Sequence, residues 1–206
     1  MLSEVNTYQD AVKYLMDIFK LINKELFCGD LPIPTITIQE KKGTYGHFTT
    51  SDHTWISSDG NTHEINIAAA HLSRPIANVV CTLVHECCHY FAFIKGIQDT
   101  SNRGIYHNAR FRDLAAQHGL IVELDKRYGW SHTSPGEIIF DFCNKHNLID
   151  ITINRTEELP SSNIRTKKKS SSHKMVCPEC GDIIRSTKEG LQVLCIICDA
   201  QFVYVD

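Results

Sequence analysis

The stretch RPIANVVCTLVHECCHYFAFIKG, residues 74–96, limits the fold more than any other part of the chain. It is apolar around most of a helical circumference, so the helix it predicts must be enclosed by other elements. Pro75 suits its first turn and Gly96 its end. Yet His85, Glu86 and His89 lie in its middle, and a core accepts such side chains only with partners. His85 and His89 are four apart, so both imidazoles leave one face and can share an ion. Glu86 stands about 100° round from His85, beside that face, where it can polarise a metal-bound water without binding the metal. This H-E-x-x-H pattern points to a catalytic zinc helix rather than to two hydrogen-bonded core histidines.

Cys87 and Cys88 complicate the pattern. On a helical wheel Cys87 lies about 160° from His89, on the far side, and Cys88 lies about 60° from His85, on the flank. A set of Cys81, His85, Cys88 and His89 on one rigid helix cannot surround an ion tetrahedrally, so these cysteines are expected to pack in the core. A catalytic zinc needs a third protein ligand and an open fourth position. The downstream candidates are His107, Asp113, His118, Glu123 and His132. An extended metzincin pattern is excluded, because Ala92 and Lys95 stand where Gly and His would be needed. His107 is favoured, since it follows a glycine-containing loop long enough to fold the next segment back across the helix. His118 is expected to cap a helix or face solvent.

Before this helix, residues 8–27 place Tyr8, Val12, Leu15, Met16, Phe19, Ile22 and Leu26 at helical spacing, with Thr7 and Asp10 as an N-terminal cap. CGDLPIP breaks that helix. TITIQE, GTYGHFTT, TWISS and HEINIAA suggest short strands, and together one antiparallel sheet packed on helices. A second helix is expected from near His107, and a third in SPGEIIFDFCNKH with Ser134 as cap, Pro135 first and Glu137 closing a capping box.

The composition then changes: residues 156–174 are Ser/Lys-rich and nearly devoid of apolar side chains. The expected organisation is a catalytic domain over 1–150, a basic linker over 151–174 and a small unit over 175–206. In the last, Cys177-Pro-Glu-Cys180 and Cys195-Ile-Ile-Cys198 form two C-x-x-C knuckles, a strong signal for a zinc ribbon with structural zinc. Gly181 allows the knuckle turn, and GLQVLC and AQFVYV suggest strands. So short a unit needs metal for much of its folding energy.

The whole chain carries a net charge of −3, so nucleic-acid binding would rest on a local patch. Lys167, Lys168, Lys169, Lys174 and Arg185 are the candidates, with Phe202 and Tyr204 as stacking groups. The N-terminus has no basic n-region and no apolar h-region, so no secretory signal is expected. Nor is a bilayer-spanning run. Nine cysteines, four of them in C-x-x-C pairs, fit metal binding in a reducing compartment. The expected location is cytoplasmic, or nuclear or nucleoid-associated if DNA is the partner.

Several segments together resemble the SprT-like, or Spartan-type, zinc metalloprotease family. INKELFCGDLPIPTITI is similar to its opening helix, turn and first strand. Trp55 and HEINIAAAHL are similar to the strand before its zinc helix. TLVHECCHYF resembles that helix, and YHNARFRDLAAQHG resembles the segment that supplies the third ligand. The resemblance covers roughly residues 8–148 and the C-terminal cysteine unit. It implies an α+β, zincin-like domain followed by a zinc ribbon, with His107 as third ligand and Phe111 beside it. It also implies a zinc-dependent endopeptidase in which Glu86 activates the water, with protein substrates associated with or crosslinked to DNA, single-stranded DNA included. Asn108 stands where the family usually has Gly, and is expected to keep a left-handed turn. Two other functions compete: a nucleic-acid-binding or adaptor protein with a vestigial site, and a zinc hydrolase of a non-peptide substrate.

Overall fold

Thr7 starts the first helix, α1 (Tyr8–Leu26), by accepting the Asp10 backbone N–H at 3.2 Å. The computed structural model describes residues 4–40, 43–49, 55–58, 60–155 and 173–205. It divides into two units, Met1–Glu157 and Glu158–Asp206. Leu15, Phe19 and Ile22 of α1 are fully buried, joined by Ala11 and Ile18. Tyr8, expected on the same face, is half exposed. Buried Asn23 fastens the turn that ends α1: its amide donates to the Leu31 carbonyl at 2.7 Å and its carbonyl accepts the Leu31 N–H at 3.0 Å.

The chain continues through β1 (Thr35–Gln39), β2 (Gly46–Phe48), β3 (Trp55–Ser57), β4 (Gly60–Thr62) and β5 (Glu64–Ala68). The sheet differs from the single antiparallel one expected. β5 is central, parallel to β1 and antiparallel to β2, while β3 and β4 form a separate hairpin. Every residue of β5 is buried, which suits a strand covered on both faces.

Next comes α2 (Ile76–Ile94), and Pro75 is its N-cap. By length and composition alone α2 would pass for a membrane span, contrary to the expectation from the sequence; 67% of it is buried inside this unit, which accounts for its apolar character. It packs against β2 and β5 on one side and against β8 (Leu120–Asp125) and β9 (Gly129–Pro135) on another. Those two strands belong to a second sheet, ordered β6-β7-β9-β8, with β6 at Thr100–Ser101 and β7 at Tyr106–His107. Helices α3 (Ala109–Gln117) and α4 (Glu137–Lys145) close the core around α2.

Two helix starts depart from expectation. His107 lies in β7, and Asn108 caps α3 from an extended backbone (φ −91°), accepting the Arg110 and Phe111 N–H groups. Asn108 therefore serves through its side chain, with no left-handed turn. Ser134 and Pro135 belong to β9, where Ser134 is the register partner of Ile121, and α4 starts from Gly136 without a side-chain cap. Hairpin pairing has displaced the capping box there.

The second unit holds β10 (His173–Val176), β11 (Ile183–Ser186), β12 (Leu194–Cys195), β13 (Ala200–Gln201) and β14 (Val203–Val205). The first two and the last form a three-stranded sheet, and β12 pairs with β13. Its core is Met175, Cys177, Cys195 and Phe202, too little to hold a fold alone.

Gly129 fixes the join between β9 and β7. It sits at φ +71° beside its register partner His107, and a Cβ there would collide with the His107 carbonyl. Gly129→Ala is expected to destabilise the protein by at least about 2 kcal/mol through strain and overpacking. Urea unfolding of both proteins measures this.

Candidate metal centre

His85 and His89 leave α2 one turn apart, and β7 brings His107 to them. The Nε2 atom of His89 lies 3.2 Å from that of His85 and 3.1 Å from that of His107. Three ring nitrogens so close together lack a proton arrangement that satisfies them all, whereas a tetrahedral ion with Zn–N bonds of about 2.0–2.1 Å would separate its ligands by about 3.3 Å. The donor set fits zinc. Each ring is turned by its other nitrogen. His89 Nδ1 meets Asp99 Oδ2 at 2.5 Å, His85 Nδ1 meets Thr133 Oγ1 at 3.0 Å, and His107 Nδ1 faces the Tyr128 carbonyl at 3.4 Å. Phe111, fully buried, lies against all three rings with centroids 4.6–4.7 Å away.

Burial holds the His85 and His107 rings neutral. It pushes His85 well below the usual imidazole range, with His89 and His107 adding repulsion, and pushes His107 down to about 4, with His89 again opposing protonation. Neutral imidazole is the form that binds metal.

Glu86, 5% exposed, follows His85 on α2. Its space comes from β2: a Cβ on Gly46 would sit 2.9 Å from the Asn66 carbonyl oxygen, 3.0 Å from Thr82 Cγ2 and 3.1 Å from Glu86 Oε1. A side chain at position 46 would press on the Asn66 backbone first and on this carboxylate as well.

The helix cysteines stay apart from the cluster. Cys81, Cys87 and Cys88 are buried among apolar side chains. Burial pushes the Cys81 thiol up to about 11 and the other two well above the usual thiol range, which disfavours thiolate ligands. The other downstream candidates lie outside the cluster too. Asp113 is exposed and paired with Arg112 at 2.7 Å, Glu123 is exposed on β8, and exposed His132 faces Asp125 at 3.7 Å. His118, expected to cap or face solvent, is a buried C-cap whose ring stacks on Phe27 with centroids 4.0 Å apart.

Asp99 and Thr133 went unforeseen in the sequence. Asp99 lies in a loop without periodicity. The available signal was chemical: a ligating histidine usually donates to a carboxylate, and Asp99 stands between the second and third histidines. Its backbone carbonyl accepts the Asn108 N–H at 3.0 Å, tying the loop to the start of α3.

In the second unit Cys177, Cys180, Cys195 and Cys198 converge, their sulfurs within 4.8 Å of one another. Cys180 and Cys195 Sγ are 3.8 Å apart, the edge of a tetrahedron with Zn–S bonds of about 2.3 Å. The Cys180 backbone N–H, helped by that of Glu179 and by nearby thiols, draws the Cys177 thiol down to about 7 against burial. Lys174 and Arg185 are cross-strand partners in β10 and β11. Phe202 is buried in this unit's core and cannot stack on a base, whereas Tyr204 is 44% exposed. Lys167, Lys168 and Lys169 lie outside the described residues.

A mixed α+β architecture here surrounds three histidines that could hold a metal ion. Residues 15–128 match the model of the SprT-like family, and the chain belongs to that family. No curated protein and no solved structure matches the chain.

Removing the Asp99 carboxylate should weaken zinc at the histidines without unfolding the domain. Asp99→Ala is expected to lower affinity there by about 10–100-fold, read by competition with a chelator. Acid should act on the metal-free protein as well. The unfolded chain takes protons on His85 and His107 near pH 6.5, while the folded chain refuses them until about pH 4 at His107 and well below the usual imidazole range at His85. Stability is therefore full above pH 6.5 and declines as pH falls through that window, a slope that denaturant titrations of His107→Ala should show reduced.

Proposed function

We propose that the chain is a zinc-dependent endopeptidase of the SprT-like type, acting on proteins associated with or crosslinked to DNA. The observation that carries this reading is the convergence of three Nε2 atoms while all three Nδ1 atoms are held elsewhere, with Glu86 alongside. His85, His89 and His107 would hold zinc, leaving a fourth position open. Zinc bound there supplies Lewis acidity, polarising an amide carbonyl and making water acidic near neutral pH. Glu86 takes the proton from the attacking water and returns it to the leaving amine. Its burial and the neighbouring Gly46 strand keep the carboxylate in place.

A peptide substrate is favoured by β2. This strand is the edge of its sheet among the described residues, and it passes directly beside Glu86. An extended chain pairing along that edge would bring its backbone past the general base. The four cysteines of the second unit would hold a structural zinc in a ribbon. DNA contact by that unit is supported by Lys174 and Arg185, like charges directly opposite one another, an arrangement that a bound phosphate relieves.

The test uses a protein–DNA crosslink and free protein, each with and without single-stranded DNA. Wild-type protein should cleave, and Glu86→Gln should retain zinc while cleaving about 10²–10⁴-fold more slowly. Metal-dependent cleavage that survives in Glu86→Gln would remove the assigned role. Replacing Lys174 and Arg185 together by Ala should lower the salt slope of single-strand binding by about 1.4, because two phosphates are no longer neutralised.

A further inference from the structure

A cavity of about 210 Å³ lies beside the proposed catalytic centre, lined by Tyr45, Arg74, Asn78, Cys81, Thr82, Thr133 and Ser134. Two of its walls belong to that centre. Thr133 is bonded to His85, and the Thr82 methyl lies 3.0 Å from the position of a Gly46 Cβ, next to Glu86 Oε1.

The charge in this cavity is Arg74. Its Nε donates to the His71 carbonyl at 2.9 Å, one terminal nitrogen donates to Thr82 Oγ1 at 2.9 Å, and its guanidinium lies 4.2 Å from the Tyr45 ring centroid. Three contacts from three segments hold the fork in one orientation. Among the described residues no carboxylate pairs with it. Partial burial lowers its pKa, opposed by the Tyr45 phenol and the Cys81 thiol and by no carboxylate among the described residues. A desolvated cation without an acidic partner is costly, and stability alone gives no reason to hold one rigidly there. The other polar groups in the walls, the Thr133 and Ser134 hydroxyls and the Asn78 amide, can all donate to an anion.

We infer that this cavity is a substrate subsite that recognises a carboxylate, with Arg74 as the specificity-determining residue. The inference rests on the endopeptidase reading above. The ligand is an acidic side chain near the scissile bond or the terminal carboxylate of the peptide, both of which fit a guanidinium fork. The cavity volume suits one such group. Arg74 does not touch the reacting atoms; it selects which chain is held beside Glu86.

Three matched peptides separate the possibilities: one with an internal Glu and an amidated C-terminus, one with Gln in its place, and the Gln peptide with a free C-terminal carboxylate. Ratios of kcat/KM within each protein form cancel any general loss from misfolding, and melting temperature and zinc content are measured alongside. In wild type one carboxylate peptide should exceed the Gln amide by about tenfold or more, mainly through KM. Arg74→Gln should bring the ratio to within about twofold, with Arg74→Lys between. A side-chain subsite favours the Glu peptide, and a terminal subsite favours the free C-terminus. Absence of preference in wild type, or a preference that survives Arg74→Gln, overturns the proposal. Fluorescence anisotropy of the same peptides on Glu86→Gln and on the Glu86→Gln, Arg74→Gln double variant reads the subsite without turnover. Carboxylate selectivity that disappears with Arg74 supports the proposal even if wild type cleaves nothing, in which case the endopeptidase reading alone fails.

Discussion

Everything in the larger unit depends on enclosing α2. The helix is apolar around nearly its whole circumference, and a helix of that kind needs neighbours on every side. One three-stranded sheet, one four-stranded sheet and helices α3 and α4 supply them. The enclosure also creates the chemistry. The second sheet brings His107 on β7 and Thr133 on β9, and the first brings Gly46 on β2. The histidines are therefore approached from both flanks by elements whose primary task is packing. Phe111 links the two roles, since it is a core residue and the surface on which all three imidazoles rest.

The parts of the site lying within one helix were legible in the sequence. His85, Glu86 and His89 follow from a 3.6-residue period, as does the separation of Cys87 from the metal face. α1, β1, β5 and α2 were legible too, because each has local periodicity or a cap. The second sheet was not. β8 has three exposed residues of six and only Leu120 buried, so it lacks the alternation that marks a half-buried strand. With that hairpin unseen, Ser134 and Pro135 passed for a helix start and Asn108 for a turn residue. Asp99 and Thr133 are invisible for a related reason. Their partners are 10 and 48 residues away, and only the tertiary fold brings them together.

The two clusters of ligating side chains invite opposite uses of metal. Four thiols surround an ion completely and leave no position for a substrate, which suits a small unit whose core holds four buried side chains among the described residues. Three imidazoles on one side of a site, beside a carboxylate and a polar cavity, leave a position open. Burial disfavours charge on His85 and His107, so the cluster is kept in the form that accepts a metal and loses it in acid.

The most direct test is anomalous scattering at the zinc edge from crystals of the zinc-loaded chain. Two peaks are expected, one about 2.0–2.1 Å from the Nε2 atoms of His85, His89 and His107 and one about 2.3 Å from the four sulfurs. A zinc-loaded crystal with no peak at the histidines, or with the ion there bound through Cys81 or Cys88, would contradict the three-histidine centre.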